Sequence, residues 1–141
     1  MTTIFACAKE GVIVCDSKMT LGNEWVQVSK VVRVGNELIG FAGVHTEGER
    51  WLAWYKTGQQ GPRPKVDNSN ALILGPDGIK LLDSSGGFIT IERGFMGTGT
   101  GGMCATAAYM AGANAKKAVE IACQIDANSG GEVIVHRLKT K

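Results

Sequence analysis

The chain has 141 residues, of which 44% are hydrophobic and 20% charged, and its formal net charge at neutral pH is +2. This length predicts a single domain, residues 1–141, that is large enough to bury a core. The weak, dispersed charge argues against binding to nucleic acid or to a membrane surface. No stretch reaches the roughly 18 apolar residues of a transmembrane helix, and the start of the chain lacks a signal-peptide pattern. We therefore expect a cytoplasmic protein.

The cysteines favour a reduced protein without a metal site. None lies in a CxxC pair, and no histidine-rich cluster accompanies them, so a zinc site is not expected. Each lies in an apolar segment, which is typical of buried, reduced thiols in a cytosolic protein. The residues concerned are Cys7, Cys15, Cys104 and Cys123.

In chain order, the first third predicts antiparallel strands joined by hairpins. Apolar alternation and β-branched residues indicate strands over residues 4–8, 11–15, 24–28, 30–34 and 37–43. The letters KEG mark a tight turn between the first two strands. We interpret DSKMTLGN, which precedes the third of these strands, as a polar break.

The segment HTEGERWLAWYKTG changes to a helical period and predicts one short helix. Thr46 is the expected N-cap, and Glu49, three residues later, completes a capping box. Gly58 is expected to end the helix. Its apolar stripe consists of Trp51, Leu52, Trp54 and Tyr55.

Strands and helices both follow in the rest of the chain. Residues 59–70 predict a loop, 71–83 a hairpin around Pro-Asp-Gly, and 87–92 a strand. The glycine-rich turn GTGTGG leads into a small-residue helix, and a second helix, capped by Asn114, comes next. The buried face of that second helix is predicted to be Ala118, Val119, Ala122 and Cys123. EVIVHRL predicts a last strand, and this order of elements indicates an α+β layered domain.

Asp16 and Lys30 stand out because each is polar within an apolar pattern. Asp16 continues the apolar run GVIVC, and alternation places Lys30 on the same face as Val32 and Val34. A lysine that points inward needs a partner, and its pKa is then easily lowered. Asp16 is the obvious candidate. On the residues alone, an ion pair that only joins two strands, or a solvated lysine at a sheet edge, explains them as well.

Other polar motifs also allow both a structural and a functional interpretation. Asp126 lies at a helix C-terminus, where a carboxylate is unfavourable against the helix dipole, and Ser129 follows it in IDANSGG. A glycine-rich helix exit explains the same letters. GTGTGG lacks the lysine of a phosphate-binding loop, so a nucleotide site is not expected. His45 and His136 lie far apart in the sequence and are interpreted as ordinary residues.

The start of the chain suggests a nucleophile. Methionine before threonine is readily removed, and its loss gives Thr2 a free α-amine beside its own hydroxyl. An α-amine has a pKa of about 8, so it can act as the base for that hydroxyl. A nearby lysine ammonium lowers this pKa further by like-charge repulsion. Thr2, Lys30 and Asp16 are thus candidates for a nucleophile, its electrostatic tuner and an orienting acid.

These motifs, in this order, resemble the proteasome β-type peptidases, and most nearly the bacterial HslV-type (ClpQ) peptidase. The matching letters are TTI, D-S after an apolar strand, TLGN, KV, GFAG, GTGG and ID-x-x-SGG, which run from Thr2 to Gly131. Members of this family are threonine-type N-terminal nucleophile (Ntn) hydrolases with a four-layer αββα sandwich of two antiparallel sheets. Only one helix fits between GFAG and ALILG, where the family has two. The resemblance therefore implies this α+β fold with a reduced first helical layer.

The resemblance also implies roles for the residues that match. Six of them fall on the family's catalytic positions: Thr2, Asp16, Lys30, Thr100, Asp126 and Ser129. Thr2 is the nucleophile and, through its amine, the general base, while the next two are the family's acid and lysine. Thr100 stands where the family usually has serine. The last two match a pair that hydrogen-bonds near the nucleophile's amine.

The substrate side of the site follows from the same resemblance. The backbone N–H of Gly43 falls where the family supplies a donor to the oxyanion hole, which is usually a large catalytic term. The residues that fall near the family's specificity pocket are Met19, Val28, Val32, Phe41 and His45.

The function implied is that of a self-compartmentalising threonine endopeptidase, which cleaves peptides or unfolded proteins within a homo-oligomeric ring. No cofactor is required, although the resemblance allows a monovalent cation near the loop of Asp126 and Ser129 and an AAA+ ATPase as unfoldase partner. Two alternatives stay open: a non-peptide amidase of the same fold, and an inactive structural or assembly protein. The retained catalytic set argues against the inactive protein. Activity also requires that Met1 is removed.

Overall fold

A computed structural model describes residues 2–82 and 87–139 of the chain. Within these ranges there are three helices, His45–Lys56 (α1), Gly102–Met110 (α2) and Ala115–Ile125 (α3). The strands are Ile4–Cys7 (β1), Val12–Cys15 (β2), Lys18–Leu21 (β3), Glu24–Gln27 (β4), Val31–Val34 (β5), Glu37–Ala42 (β6), Asn70–Gly75 (β7), Gly78–Leu82 (β8), Phe88–Ile91 (β9), Phe95–Thr98 (β10) and Ile134–Arg137 (β11). Met1 and Asp83, the last residue of the predicted hairpin, lie outside the described residues.

The described strands form three sheets in which every pairing is antiparallel. One sheet has the order β10-β1-β2-β11, a second has the order β5-β6-β7-β8-β9, and β3 pairs only with β4. The predicted α+β class is therefore confirmed. The strands of the first third do not share one sheet, because the chain passes from the first sheet through the β3–β4 hairpin to the second.

The interpretation of residues 16–23 as a polar break is wrong. Lys18–Leu21 pairs with Glu24–Gln27, and Leu21 lies opposite Glu24 across the two-residue loop Gly22-Asn23. Gly22 has a φ of +61°, which suits the turn of a tight hairpin. The Gly-Asn pair between two extended segments is the signal that predicts this hairpin.

The predicted strands also omit β10, which forms the edge of the first sheet. Phe95–Thr98 contains a glycine, and a Cβ on Gly97 would lie 2.3 Å from the carbonyl oxygen of Gly102. The strand therefore tolerates only glycine where α2 crosses it closely. A local strand pattern does not reveal this contact, because it joins two separate elements.

The predicted cap of α1 is wrong as well. The N-cap is Val44 and makes no side-chain cap bond, so Thr46 lies inside the helix. The helix ends at Lys56, two residues before Gly58. By contrast, Asn114 caps α3 as predicted, since its side chain accepts the backbone N–H of Lys117 at 2.8 Å.

Alternation along β1 divides its side chains between two cores. Ile4 and Ala6 pack with apolar residues of the five-stranded sheet, such as Leu38 and Leu72. The alternate side chains of β1 pack against the small apolar faces of α2 and α3, which include Ala105, Ala115 and the predicted residues Ala118, Val119 and Ala122. Both faces of β1 are therefore buried, which fixes the position of its first residue, Ile4.

A third core lies between α1 and the five-stranded sheet. Trp51 is fully buried there and packs with Ile39 and Ile73. The rest of the predicted stripe of α1, namely Leu52, Trp54 and Tyr55, is partly buried against the same cluster. No helix of the described residues is long and apolar enough to cross a membrane.

The cysteines follow the prediction in part. All four are free thiols, and Cys7 and Cys15 are buried. Cys104 and Cys123 are only half-buried and pack against the apolar cluster between the first sheet and α2–α3. Burial raises the pKa of Cys15 to about 12, an effect that the neighbouring Asp16 carboxylate strengthens.

Candidate active site

Thr2 lies two residues before β1, against the glycine-rich turn that follows β10. The Thr2 side chain and backbone are 8% exposed, and its carbonyl oxygen accepts the N–H of Gly101 at 3.2 Å. Gly99 has a φ of +84°, and a Cβ on it would lie 2.1 Å from the Thr2 carbonyl oxygen. The turn therefore needs glycine at this point for two reasons, backbone conformation and close approach. Burial, this hydrogen bond and the close approach of Gly99 together fix the position of the Thr2 backbone.

Asp16 and Lys30 meet beside the Thr2 hydroxyl. Lys30 Nζ lies 2.8 Å from Asp16 Oδ1 and donates to Thr2 Oγ1 at 3.2 Å. The lysine side chain is 7% exposed and the aspartate is fully buried. Lys30 lies directly before β5 and points inward, as the alternation of residues 30–34 predicts. The pair joins two strands and also touches the hydroxyl, so the two interpretations of these residues do not exclude each other.

The Asp16 carboxylate receives two further hydrogen bonds from the backbone. The N–H of Thr3 donates to Oδ1 at 3.0 Å, and the N–H of Gly130 donates to Oδ2 at 3.0 Å. A buried carboxylate needs such partners, since an unpaired charge in the interior is costly. Asp16 therefore connects Lys30, the start of β1 and the loop after α3.

The second polar cluster, which we call the Asp126 group, consists of Thr100, Asp126 and Ser129. Both hydroxyls donate to Asp126 Oδ2 at 2.6 Å. The nitrogen of Thr2 lies 3.4 Å from Thr100 Oγ1. Within this group it is therefore Thr100 that stands between the carboxylate and the Thr2 nitrogen.

The environment keeps Asp126 ionised. Partial burial alone would raise the pKa of its carboxyl, but the hydrogen bonds from Ser129, Thr100 and the Asn128 backbone N–H outweigh burial and hold the pKa below its usual value. These hydrogen bonds stabilise the Asp126 carboxylate at the end of α3, where the helix dipole disfavours a negative charge.

Thr3 and Ser17 are polar residues of the site that the sequence analysis did not select. Thr3 is fully buried, and its Oγ1 lies 2.7 Å from Ser129 Oγ. Ser17 is also fully buried and donates to the Glu132 carbonyl oxygen at 2.7 Å. A second threonine directly after the first, and a serine directly after the aspartate, are the signals that point to them. Thr3 and Ser17 therefore fasten the segment after α3 to the residues next to Thr2 and Asp16.

A cavity of about 320 Å³ opens beside Thr2 and Lys30. All five residues predicted for the pocket line it: Met19, Val28, Val32, Phe41 and His45. The sequence analysis missed the apolar residues that complete its wall, Ile39, Trp51 and Leu52. Met19 reaches it from the overlooked strand β3. The wall is largely apolar, so the cavity suits an apolar side chain.

Gly43 lies at the mouth of this cavity, directly after β6. Its φ is +129°, and it is exposed, unlike the buried Ala42 before it. Gly43 and Thr2 thus line the same cavity.

The histidines occupy different places. His45 lines the cavity and lies 3.0 Å from Glu49, with its side chain 61% exposed. His136 lies on β11, where burial and the nearby Arg33 charge lower the pKa of its imidazole. Its Nε2 atom is buried and has no hydrogen-bond partner among the described residues.

Comparisons with known proteins support this fold. No protein-family model and no curated protein sequence matches the chain. Among solved structures, HslV from Trypanosoma brucei matches with a TM-score of 0.73 and 24% identity, over 96% of this chain and 98% of that one. Thiobacillus denitrificans BPH, free and in complex with epoxomicin, matches with a TM-score of 0.73 and 20% identity, over 99% of this chain and 100% of that one. The predicted resemblance to the proteasome β and HslV type is confirmed at the level of the fold.

Proposed function

We propose that the chain is a threonine-type N-terminal nucleophile peptidase and that Thr2 is its nucleophile once Met1 has been removed. The observation that carries the proposal is the contact of Lys30 Nζ with Thr2 Oγ1 at 3.2 Å, beside an apolar cavity. A buried ammonium placed on a threonine hydroxyl is not needed to hold two strands together. Such an ammonium is what an amine base of lowered pKa requires.

The proposed reaction begins with the Thr2 α-amine, which takes the proton of the Thr2 hydroxyl directly or through a water. The alkoxide oxygen then forms a bond to the substrate carbonyl carbon, and the carbonyl electron pair moves to its oxygen. Collapse of this intermediate breaks the C–N bond, and the proton held by the amine passes to the leaving nitrogen. Water, activated by the same amine, hydrolyses the resulting ester and restores the hydroxyl.

Lys30 and the Asp126 group have separate tasks in this proposal. The Lys30 charge lowers the pKa of the amine and so keeps a larger share of it unprotonated at neutral pH. Asp16 fixes the lysine with a 2.8 Å contact. Thr100 is the residue of the Asp126 group that orients the Thr2 nitrogen, while Ser129 acts one step away, through Thr3.

The backbone N–H of Gly43 is the proposed oxyanion donor. It lies at the mouth of the cavity that Thr2 also lines, and such donors commonly contribute about 10² to 10³ in rate. The cavity itself would take the substrate side chain next to the scissile bond. Its apolar wall and size favour a large apolar residue there.

The wider assignment is part of the same proposal. It comprises one domain with an αββα sandwich, peptide or unfolded-protein substrates, a cytoplasmic homo-oligomeric ring and an AAA+ unfoldase as a possible partner. The three buried clusters support the sandwich, since they lie between α2–α3 and the first sheet, between the two sheets, and between the second sheet and α1. The HslV and BPH likeness supports a ring-forming peptidase. A monovalent cation near Asp126 and Ser129 is proposed from the resemblance alone.

The test is cleavage of a fluorogenic peptide library by the wild type and by Thr2→Ala. We expect cleavage after large apolar residues by the wild type and none by the variant. Turnover of small amides without peptide cleavage would identify a non-peptide amidase instead. If neither protein shows any activity, although mass spectrometry has verified that Met1 is removed, the chain is an inactive structural homologue.

A further inference from the structure

The loop of residues 67–69 lies against the backbone of Gly43. A Cβ on Gly43 would lie 2.4 Å from Ser69 Oγ and 2.6 Å from the Asn68 carbonyl oxygen. Gly43 also has a positive φ, which disfavours any other residue. The loop therefore leaves no room for a side chain at this position and limits how the Gly43 backbone can move.

Ser69 holds the peptide group that follows Gly43. The N–H of Val44 donates to Ser69 Oγ at 2.8 Å, and the Ser69 hydroxyl donates to Glu47 Oε1 at 2.6 Å. Ser69 is only 5% exposed. In a capping box, the glutamate at the third helical position reaches the N-cap N–H itself. Here Val44 is the N-cap of α1, Glu47 stands at that third position, and Ser69 bridges them from another segment.

Glu47 in turn fixes the loop. Its carboxylate accepts the backbone N–H groups of Asp67 at 3.3 Å and Asn68 at 3.4 Å. The hydrogen bond from Ser69, followed by those from the two amides, lowers the pKa of Glu47. The carboxylate is therefore ionised, and an acceptor for all three donors, at neutral pH.

Gly43 is held from its other side as well. Ala42 pairs with Asn70 in the β6–β7 ladder. Two consecutive residues, Ser69 and Asn70, thus position the residues that flank Gly43. A donor to a developing oxyanion is effective only when its geometry is held within about 0.5 Å.

We propose that Ser69 and Glu47 are positioning residues that set the orientation of the Gly43 N–H toward the oxyanion. This inference rests on the proposed function, because it assumes that Gly43 is the oxyanion donor. Neither residue is among those that line the cavity described above. Their effect should therefore appear in the chemical step and not in substrate binding or in the reactivity of the Thr2 hydroxyl.

The experiment compares Ser69→Ala and Glu47→Gln with the wild type in two assays on the full, Met1-processed chain. The first is peptide hydrolysis, which develops charge on a carbonyl oxygen. The second is the labelling of Thr2 by a peptide vinyl sulfone, in which charge develops on the carbon next to the sulfone. We expect Ser69→Ala to lower kcat about 30-fold, less than complete loss of a donor would. KM should stay within about twofold, and the labelling rate within about threefold.

Glu47→Gln keeps an oxygen acceptor for Ser69 but sets an amide N–H₂ against the backbone N–H of Asp67, which donates to Glu47 Oε2, so we expect a kcat about fivefold lower. Asp67→Ala is the matched control. It keeps the backbone N–H that Glu47 binds and removes only an exposed side chain that contacts Lys65. Its kinetics should equal those of the wild type.

Each outcome decides between the claims. Unchanged kcat in Ser69→Ala, or equal loss of hydrolysis and labelling, would overturn the positioning role while the proposed function stands. If Ser69→Ala does not fold, Glu47→Gln decides, and an unchanged kcat in it overturns the inference. A wild type that neither cleaves peptides nor reacts with the vinyl sulfone refutes the proposed function itself, and the inference with it.

Discussion

Two polar clusters flank Thr2, and they differ in charge, burial and partners. The Asp16–Lys30 pair is closed off from solvent, with side-chain exposures of 0% and 7%, and it touches the Thr2 hydroxyl with a full positive charge. In the Asp126 group, Ser129 is buried, Asp126 is half-buried and Thr100 is exposed, and the group reaches the Thr2 nitrogen through the neutral hydroxyl of Thr100 at 3.4 Å. The comparison teaches that the first cluster can change the pKa of an amine, whereas the second can mainly orient it.

Removal of the Lys30 charge should have the largest effect. We expect Lys30→Met to lower kcat/KM by about 10³-fold, within the range of general acid–base catalysis. The remaining activity should need a higher pH, because the amine pKa rises when the neighbouring ammonium is lost. Loss of a partner to a buried carboxylate should also lower the free energy of unfolding by about 3 kcal/mol. A pH–rate profile and a urea titration measure both effects.

Lys80→Met is the matched control, because Lys80 is an exposed lysine on β8. It should leave the rate, the pH profile and the stability unchanged. A Lys30→Met enzyme with normal stability and a normal pH profile would contradict the role of the Asp16–Lys30 pair.

A side chain in the glycine-rich turn after β10, which contacts Thr2, should have the next largest effect on activity. Gly99→Ala places a Cβ 2.1 Å from the Thr2 carbonyl oxygen, so Thr2 must shift. We expect about a 10²-fold loss of kcat and a loss of about 3 kcal/mol in stability from strain and overpacking. Gly94→Ala is the control, since Gly94 also has a positive φ, +81°, but nothing within 4 Å of its Cβ position. Equal effects of the two changes would show that Thr2 does not depend on the turn.

Neutralisation of Asp126 should have a smaller effect. Asp126→Asn should lower kcat about tenfold, near the worth of one hydrogen bond to a charged group. Because the folded pKa of Asp126 is depressed, its stabilising contribution is present above the unfolded pKa of about 3.9 and is lost as the pH falls toward the lower folded value. Acid titrations of the wild type should therefore show a loss of stability below about pH 4 that Asp126→Asn lacks. Parallel curves for the two proteins would exclude a depressed pKa.

The smallest effect is expected for Thr100→Ser, which keeps the hydroxyl that joins Asp126 to the Thr2 nitrogen. Its kcat should stay within about threefold of the wild type, while Thr100→Ala should resemble Asp126→Asn. A Thr100→Ser enzyme as impaired as Thr100→Ala would mean that the methyl group, and not the hydroxyl, is what matters here.

The sequence predicted those features that depend on local pattern. Alternation along residues 30–34 predicted an inward Lys30, and the apolar run before Asp16 predicted a carboxylate at the end of a buried strand. The Asn114 cap lies beside the helix that it serves, so its motif is readable in a few letters. The same holds for the hairpin β7–β8 around Pro76 and Asp77.

The features that the sequence did not reveal depend on contacts between distant segments. Gly97 is required because α2 crosses β10 closely at this point. A glycine weakens the strand pattern of β10, and the contact that explains it cannot be inferred from neighbouring residues. The β3–β4 hairpin was not predicted because the polar residues of the segment 16–23 were given more weight than its Gly-Asn turn signal. Ser69 and Glu47 lie 22 residues apart, and only the fold shows that they share a hydrogen bond. Likewise, the sequence does not reveal that the hydroxyls of Thr100 and Ser129 both donate to the same oxygen of Asp126.

The most direct test of the central claim is the site of covalent labelling by epoxomicin, with which BPH forms a complex. The full chain, expressed so that Met1 can be removed, is incubated with the compound, and its intact mass and N-terminal peptide are measured. We predict loss of Met1 and a single epoxomicin adduct on Thr2 that is absent in Thr2→Ala. A protein that has lost Met1 and still forms no adduct, or forms it on another residue, would contradict the assignment of Thr2 as the nucleophile.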